Sequence, residues 1–263
     1  MRVVGVQRAL RFSPNSVEKD LAILRAVVEP MGGKIVSEEN AALPNVLDGA
    51  SLVLSMARTP WALSCLDTAV QDGVRVINPP EGVRRCARVM LRQLALAASV
   101  PVPPADGDVG YWLKRGDAAA QSKDDVVFCA DHDALDRALS EFHSRGIIEY
   151  IVQAHQLGDL VKFYGVLDTG FFRYFYPGDD GQTKFGDETR NGMPHHYAFS
   201  VSALQSAAER LASSARCPVY GGDAIVSSKG TFVLIDFNDW PSFSRCRMEA
   251  AEAIRQLVLA GGC

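Results

Sequence analysis

The sequence predicts a chain of mixed α/β and α+β class, in which a small parallel α/β unit precedes a larger unit built on an antiparallel sheet. Up to about residue 80, short apolar runs such as RVVGV and SLVLS alternate with amphipathic helical stretches. This alternation is typical of parallel strands joined by crossover helices. From about residue 105 onward, strand-like runs follow one another directly, and GGDAIVSSKGTFVLIDFN has the form of a β-hairpin.

The elements of the first unit have recognisable ends. A helix over SVEKDLAILRAVVEPMGG stops at a glycine pair. Thr59 and Pro60 take the N-cap and N1 positions of the next helix, which Gly73 ends. VRVIN is the last strand of this unit. The stretch PPEGVRRCARVMLRQLALAASV predicts one long helix, which the proline-rich segment PVPPADG terminates.

The second unit begins with two strands, GYWLKRG and VVFCA, and an amphipathic helix for which Asp131 is the expected cap. Three strand-like runs follow in series, IIEYIVQAH, DLVKFYGVL and GFFRYFY, and then a polar loop over residues 177–194. Loops of this length are usually functional or mobile. A helix over SVSALQSAAERLASSAR precedes the hairpin, and SRCRMEAAEAIRQLVLA forms the final helix.

Composition excludes several classes of function. The 263 residues are 48% hydrophobic and 22% charged with a formal net charge of -4, so the chain lacks the overall positive field that attracts nucleic acid or anionic membranes. No apolar run reaches transmembrane length, and the N-terminus lacks the features of a signal peptide. The six cysteines include no CxxC pair, which favours a reducing compartment and argues against a zinc site. We expect a cytoplasmic protein without nucleic-acid or membrane partners, and a homodimer stays open.

Two carboxylates oppose one another in the predicted hairpin. VLIDFNDWPSF is apolar enough for a buried strand but carries Asp236, and a buried carboxylate costs on the order of several kcal/mol unless it is paired or binds a cation. A turn at residues 229–230 pairs Val226 with Val233 and Asp223 with Asp236. Such cross-strand partners share a face, with Cβ atoms about 5 Å apart. Nothing in the local sequence supplies a compensating base.

A divalent cation would remove this repulsion. Asn238 lies two residues beyond Asp236 and therefore points to the same face. Mg2+ prefers hard oxygen ligands, such as carboxylates, an amide carbonyl and phosphate oxygens. Two unrelated polar residues at strand ends are the alternative, since a slip of one residue would send Asp223 to the other face. Asp239 falls on the opposite face and is expected to be a turn or helix-entry residue.

The segment GGDAIVSSKGTFVLIDFNDWPSF resembles the C-terminal core of the ATP-grasp superfamily. In that superfamily an acid on one strand, an acid on the next and an Asn two residues later hold two Mg2+ ions against ATP. The resemblance implies Asp223, Asp236 and Asn238 as metal ligands, with Mn2+ as an alternative ion. The superfamily's second acid is most often Glu. Asp236 in IDFN, followed by Pro241, is closer to the similar Ile-Asp-x-Asn-x-x-Pro run of inositol tris/tetrakisphosphate kinases.

The resemblance also implies a domain organisation. A small N-terminal α/β (pre-ATP-grasp) domain would span residues 1–80, and an ATP-grasp domain residues 81–263. Within the latter, a lid subdomain would span about residues 105–155, and a metal-binding core with an antiparallel sheet about residues 156–263. The motif matches cover most of the chain from about residue 76 onward.

Basic residues upstream of the hairpin match groups that contact ATP in this superfamily. Arg88 matches a basic residue that touches phosphate, with Arg85 and Arg92 as alternatives. Lys114 in YWLKRGD matches the lysine on the α- and β-phosphates, and Lys162 matches a basic residue that faces ribose, phosphate or acceptor. The loop after Lys114, DAAAQSKDD, lacks the glycines that many members use to cover the phosphates, so its closure over ATP is an open question.

The adenine site is expected at the hinge in EYIVQAHQLGD. Hinges of this superfamily bind adenine through backbone groups and a nearby polar side chain, which implies Gln153, Ala154 and His155. For His155 the alternative is a surface histidine in a turn.

Together these matches imply Mg2+- and ATP-dependent phosphoryl transfer to a small-molecule or peptide acceptor, with Arg88 and Lys114 as catalytic residues. Arg245, which begins the last helix close to the expected metal ligands, is a third candidate catalytic residue. The expected reaction is carboxylate–amine ligation through an acylphosphate with release of ADP, as in most of the superfamily. A small-molecule kinase resembling the inositol phosphate kinases is the alternative, and a non-catalytic nucleotide-binding regulator is a further one. The candidate contacts to an anionic acceptor are Arg58, Arg173, Arg190, His195 and Ser242.

Overall fold

The structure, a computed structural model, describes residues 1–13, 16–117, 122–180 and 190–261. The helices described are α1 (Val17–Val28), α2 (Leu43–Leu47), α3 (Pro60–Gln71), α4 (Pro80–Arg85), α5 (Arg88–Ala97), α6 (His132–Ser144), α7 (Val201–Ala215) and α8 (Arg247–Leu259). The strands are β1 (Val3–Gln7), β2 (Lys34–Ser37), β3 (Leu52–Ser55), β4 (Arg75–Ile77), β5 (Tyr111–Arg115), β6 (Val126–Cys129), β7 (Tyr150–Ala154), β8 (Asp159–Val166), β9 (Phe171–Phe175), β10 (Val219–Val226) and β11 (Phe232–Asp239).

Parts of two predicted loops fall outside the described residues. They are residues 118–121, which belong to the loop predicted to follow Lys114, and residues 181–189, which belong to the loop predicted over residues 177–194.

The first sheet is parallel, with strand order β2-β1-β3-β4, and helices alternate with its strands along the chain as predicted. Val4, Val6 and Val53 are buried against this helical layer. Thr59 caps α3, because its Oγ1 accepts the N–H of Ala62 at 3.2 Å. The carboxyl ends of β1 and β3 lie side by side, so the residues that follow them come close together.

The single helix predicted over residues 79–100 is two helices, and that prediction is wrong. Ala87 has an extended backbone, with φ −60° and ψ 134°, and separates α4 from α5. Gly82 brings α4 so close to the end of α7 that an added Cβ would lie 2.1 Å from the carbonyl oxygen of Arg216. The break places Arg88 in the first turn of α5, where its side chain leaves the helix toward the third sheet.

The second sheet is antiparallel, with strand order β6-β5-β7. One face is covered by α6, whose Phe142 is buried with Leu113 of β5. As predicted, Asp131 caps this helix, since its carboxylate accepts an N–H of the first turn at 2.8 Å. Because side chains alternate along a strand, Trp112 and Lys114 belong to the face away from α6.

The third sheet is also antiparallel, with strand order β11-β10-β8-β9. Phe163, Tyr220 and Phe237 are buried on the face that packs against α5 and α7. Helix α8 packs against both α1 and the β8–β9 pair, and thereby joins the first sheet to the third. Within the described residues, every helix is too short or too polar to cross a membrane.

Candidate functional site

The β10–β11 hairpin brings Asp223 and Asp236 opposite one another, as predicted. The pairing near the turn differs from the prediction by one residue, because Val226 pairs with Phe232 and not with Val233. A β-bulge next to Asp223 inserts one extra residue in β11 and restores the predicted pairing beyond it. The bulge therefore decides that the two carboxylates meet.

Each carboxylate has a cationic partner from a distant element. Lys162 lies opposite Asp223 on β8, with its Nζ 3.1 Å from Oδ1. Arg88 on α5 places its Nε 3.8 Å from Oδ1 of Asp236. The side chains of Asp223 and Asp236 are 21% and 26% exposed, so a ligand can reach both carboxylates. The local sequence shows no compensating base because both cations come from other parts of the chain.

Asn238 supplies an amide at the same end of the hairpin, opposite Gly221. Alternation along β11 sets it on the face of Asp236. Among the described residues, no cluster of three or more His, Cys, Asp or Glu side chains could hold a metal ion. The oxygen donors at this position are thus two carboxylates and one amide, a hard-oxygen set that suits Mg2+ when phosphate oxygens and water complete the coordination.

Lys114 adds a third cation. Its Nζ donates to the carbonyl of Ile235, the extra residue of the bulge, at 2.8 Å. Burial lowers the pKa of Lys114 to about 8; the attraction of Asp236 opposes this shift, and repulsion from Arg88 adds to it. The bases Arg88, Lys114 and Lys162 face two carboxylates, and this excess of positive charge favours a polyanionic ligand.

A cleft opens beside these charges, between α5, β7 and β11. Arg88, Arg92, Gln153 and Asp236 form its polar lining. Its apolar lining includes Leu91, Ala95, Val102, Ile151, Leu211 and Leu234. The cleft has a volume of about 40 Å³, enough for a few water molecules, so its lining has the chemistry of a small-molecule site but not the size of one in this arrangement.

The backbone at the predicted hinge is engaged within the chain. The N–H of Ala154 donates to the carbonyl of Pro104, and the N–H of His155 to the carbonyl of Gly110, each at 2.8 Å. A base bound at the hinge therefore cannot use these two amides in the present arrangement. The side chain of Gln153, by contrast, lines the cleft.

His155 is 8% exposed and is not a surface histidine. Trp112 Nε1 donates to its Nδ1 at 3.1 Å, and the ring of Phe128 packs edge-on with centroids 5.5 Å apart. Arg190 stacks over Phe128, 3.6 Å from the ring centroid. Burial lowers the pKa of His155, and Arg190 lowers it further, so the imidazole is neutral at pH 7 and its Nδ1 accepts the hydrogen bond from Trp112.

Solved structures share this architecture. D-alanine–D-alanine ligase from Bacillus anthracis matches with a TM-score of 0.66 and 10% sequence identity, over 99% of this chain and 98% of that chain. A RimK-domain ATP-grasp protein from Sphaerobacter thermophilus matches with a TM-score of 0.64 and 17% identity, over 98% of this chain and 100% of that chain. For D-cycloserine synthetase the TM-score is 0.64 and the identity 14%, over 97% and 99% of the two chains.

The chain has the ATP-grasp fold. Coverage of nearly the whole chain extends the likeness to the first sheet, for which the sequence carried no motif. No protein-family model matches the sequence, and no curated protein is significantly similar to it.

Within the ATP-grasp fold, several predicted site residues lie together where the second and third sheets meet. They are Arg88, Lys114, Lys162, Asp223 and Asp236. Arg85 and Arg92, the alternatives to Arg88, donate to the Ser214 and Val152 carbonyls, each at 3.0 Å. Arg88 likewise donates to the Arg115 carbonyl at 3.1 Å, and in addition it lies 3.8 Å from Asp236.

Three of the predicted acceptor contacts lie apart from this group. Arg173 forms an ion pair with Glu249 at 2.5 Å on the outer surface. The backbone N–H of His195 donates to the buried carboxylate of Asp159 at 2.7 Å. Arg190 stacks in the aromatic cluster of the second sheet.

Two residues lie in the connection between β11 and α8. Arg245 donates to the carbonyl of Tyr176 at 3.2 Å and lies over the ring of Phe175. Ser242 is half-buried. Arg58 comes from the first sheet and forms an ion pair with Asp239, the last residue of β11.

Sequence reasoning missed the charged residues around Arg58. Arg8, Asp20 and Glu38 are 8%, 2% and 0% exposed, and Arg8 and Glu38 follow the ends of β1 and β2. The position of a charged residue just beyond a predicted parallel strand was the available signal, because the carboxyl ends of such strands converge on one edge of the sheet.

Proposed function

We propose that this chain catalyses Mg2+- and ATP-dependent ligation of a small carboxylate acceptor to an amine, through an acylphosphate and with release of ADP. The observation that carries the proposal is the pair Asp223 and Asp236, brought together by a β-bulge and faced by Arg88, Lys114 and Lys162. This combination of opposed carboxylates and surplus cations is suited to a metal–polyphosphate complex.

Asp223, Asp236 and Asn238 would hold Mg2+. The ion would neutralise the charge that develops on the β- and γ-phosphate oxygens during transfer. When the carboxylates serve the metal, Lys162 and Arg88 would exchange these carboxylates for phosphate oxygens. The protein thereby keeps both carboxylates paired before the nucleotide arrives.

Lys114 would bind the α- and β-phosphates. Its hydrogen bond to the Ile235 carbonyl fixes the direction of its ammonium group, and the carbonyl belongs to the bulge beside Asp236. Phosphate is a much stronger counter-charge than a carbonyl oxygen, so bound ATP raises the pKa of Lys114 and keeps it protonated. The base would bind at the cleft between α5, β7 and β11, which would widen from its present volume of about 40 Å³ and where Gln153 offers hydrogen bonds against apolar walls.

The choice of a carboxylate acceptor rests on two supports. The groups at the centre of the site are cations and candidate metal ligands, and a carboxylate attacks phosphorus without a general base because it is already anionic. The solved structures with this architecture include proteins named as ligases and synthetases.

We also propose that the chain divides at about residue 80 into a small N-terminal α/β domain and an ATP-grasp domain.

A small-molecule kinase is the second candidate. It is favoured by the sequence around the second acid, where Asp236 is followed by Asn238 and Pro241, similar to inositol phosphate kinases. In this case an alcohol would receive the phosphoryl group, and no acylphosphate would form.

The deciding experiment measures ADP release by the purified chain with Mg2+, ATP and pools of amino acids, dipeptides and polyols. Hydroxylamine separates the candidates, since it converts an acylphosphate to a hydroxamate and leaves a phosphate ester unchanged. We expect hydroxamate with the amino acids or dipeptides and not with the polyols. In Asp236→Asn we expect turnover to fall at least about hundredfold, which is the order of loss when electrostatic stabilisation of a transition state is removed. Asp67→Asn, which changes a surface ion pair with Arg84, is the matched control. Absence of ADP with every pool would contradict both enzyme candidates.

A further inference from the structure

Asp239, the last residue of β11, is held by Arg58, a partly buried arginine in the loop that follows β3. Arg58 Nη2 lies 2.5 Å from Asp239 Oδ1, and its Nε 3.4 Å from Oδ2, so the guanidinium binds both carboxylate oxygens. The side chains of Arg58 and Asp239 are 13% and 4% exposed. Attraction to Arg58 and then to Arg8 overcomes the effect of burial and lowers the pKa of Asp239, which keeps its carboxylate charged.

A second arginine holds the next residue of the same segment. Arg8 Nη2 donates to the Trp240 carbonyl at 2.6 Å, and its Nε lies 3.5 Å from the buried carboxylate of Asp20. Glu38 sets the geometry of both arginine-bearing loops, because its carboxylate accepts the N–H of Ala9 after β1 and that of Arg58 after β3, the latter at 2.8 Å. The end of β11 is thus attached to two loops of the first sheet.

The segment that Arg8 and Arg58 hold has a locally strained backbone. Trp240 and Phe243 have φ values of +37° and +47°, in a region that costs a residue with a side chain about 1 kcal/mol or more. The N–H of Trp240 still donates to the Val219 carbonyl at 3.0 Å, so the strand is kept in register up to this strained position. Asn238 lies immediately before the residues that the two arginines hold.

We propose that Arg58, acting through Asp239, is a positioning residue for Asn238, so that the docking of the first sheet determines the affinity of the metal site. This inference rests on the proposed function, because it assumes that Asn238 is a metal ligand. Arg58 itself touches neither a metal ligand nor the cleft in this arrangement; its guanidinium holds Asp239.

The test uses two variants and a matched control. Asp239→Asn keeps the shape of the side chain and leaves two arginines beside two carboxylates, Asp20 and Glu38, so the remaining network stays balanced. Arg58→Lys keeps the charge but loses the two-pronged contact. The control is Arg84→Lys, because Arg84 binds both oxygens of Asp67 at 3.0 and 2.5 Å but lies on the surface.

Two measurements are made on the full chain. The affinity of the protein–ATP complex for Mn2+ is measured by electron paramagnetic resonance, and amide hydrogen exchange of the peptide covering residues 236–243 is measured without ligands. In Asp239→Asn and Arg58→Lys we expect the Mn2+ dissociation constant to rise about tenfold or more, as for other groups that orient metal ligands. We also expect faster exchange in this peptide, with neither change in Arg84→Lys.

The outcomes separate this inference from the proposed function. If the unmodified chain does not bind Mn2+ with ATP, the proposed function fails, and the inference fails with it. If the unmodified chain binds Mn2+ with ATP and Asp239→Asn binds the ion equally well, only the positioning role is overturned, whatever the thermal stability of the variant.

Discussion

Lys162 and Asp223 lie directly opposite one another on β8 and β10, and their side chains form an ion pair of 3.1 Å. Asp223 in turn lies opposite Asp236 on β11. Three neighbouring strands of the third sheet, β8, β10 and β11, therefore present a cation and two carboxylates in one row. In the proposed reaction this row exchanges partners, since the carboxylates turn to the metal and Lys162 to a phosphate oxygen.

Substitution of Lys162 separates its contribution to stability from its contribution to ATP binding. In Lys162→Met we expect the free energy of unfolding to change by less than about 1 kcal/mol, because the ion pair is partly exposed. We expect the affinity for ATP, measured by titration calorimetry, to fall about tenfold, the value of one charge-assisted hydrogen bond. Lys229→Met, which changes an exposed lysine in the hairpin turn, should leave both quantities unchanged. Equal ATP affinities in the two variants would contradict the role of Lys162.

The lowered pKa of Lys114 predicts how the affinity for ATP depends on pH. Its pKa of about 8 lies below its usual value, so the free protein loses this proton as the pH rises through 8. Binding of the phosphates requires the ammonium form. We therefore expect affinity to weaken above pH 8, by up to about tenfold per pH unit, and binding near pH 8 to take up a proton. Calorimetry in buffers of different ionisation enthalpy measures this uptake, and Lys114→Arg should abolish it.

The same pKa predicts a trend in stability. The unfolded chain binds a proton at Lys114 up to a pKa near 10.5, whereas the folded chain releases it near 8. Between these values the unfolded state binds more protons, so the contribution of Lys114 to the free energy of unfolding rises with pH. Comparison of urea unfolding at pH 8 and 10 in the unmodified chain and in Lys114→Met isolates this contribution. A contribution that falls with pH would show that Lys114 is not desolvated.

Gln153 is expected to contribute to recognition of the base. It is the polar side chain of β7 that lines the cleft, among apolar neighbours. In Gln153→Leu we expect ATP to bind about tenfold more weakly, because the hydrogen-bonding edge of the base loses its partner in a buried setting. Gln93→Leu makes the same change on the exposed side of α5 and serves as the control. Unchanged ATP affinity in Gln153→Leu would place the base outside this cleft.

The contact between α4 and α7 is expected to tolerate no side chain at position 82. Alanine is favoured over glycine by about 1 kcal/mol inside a helix. In Gly82→Ala the new Cβ would nevertheless lie 2.1 Å from the Arg216 carbonyl oxygen, and the two elements must move apart. We expect a loss of about 2 kcal/mol or more in the free energy of unfolding, measured with urea, as for other overpacked sites. Gly73→Ala is the comparison, because its φ of +85° costs about 1 kcal/mol while no atom lies within 4 Å.

Local patterns in the sequence determined much of this fold. Alternating apolar strands and amphipathic helices predicted the first sheet, and the caps Thr59 and Asp131 formed as expected. These features depend on residues a few positions apart, whose geometry is set by helix and strand periodicity. The opposition of Asp223 and Asp236 was also predicted within one hairpin, and the resemblance of that segment identified the ATP-grasp fold.

Tertiary structure decided what local patterns could not. The turn of the hairpin is shifted by one residue, and the bulge at Ile235, whose carbonyl binds Lys114 from another sheet, compensates for it. Arg58 and Asp239 are 181 positions apart, and their ion pair exists because the first sheet docks on the end of β11. Periodicity and capping act over a few residues, whereas the partner of a charged side chain depends on which sheets and helices pack together. For this reason the sequence predicted the candidate metal ligands, and only the assembled fold showed what holds them in place.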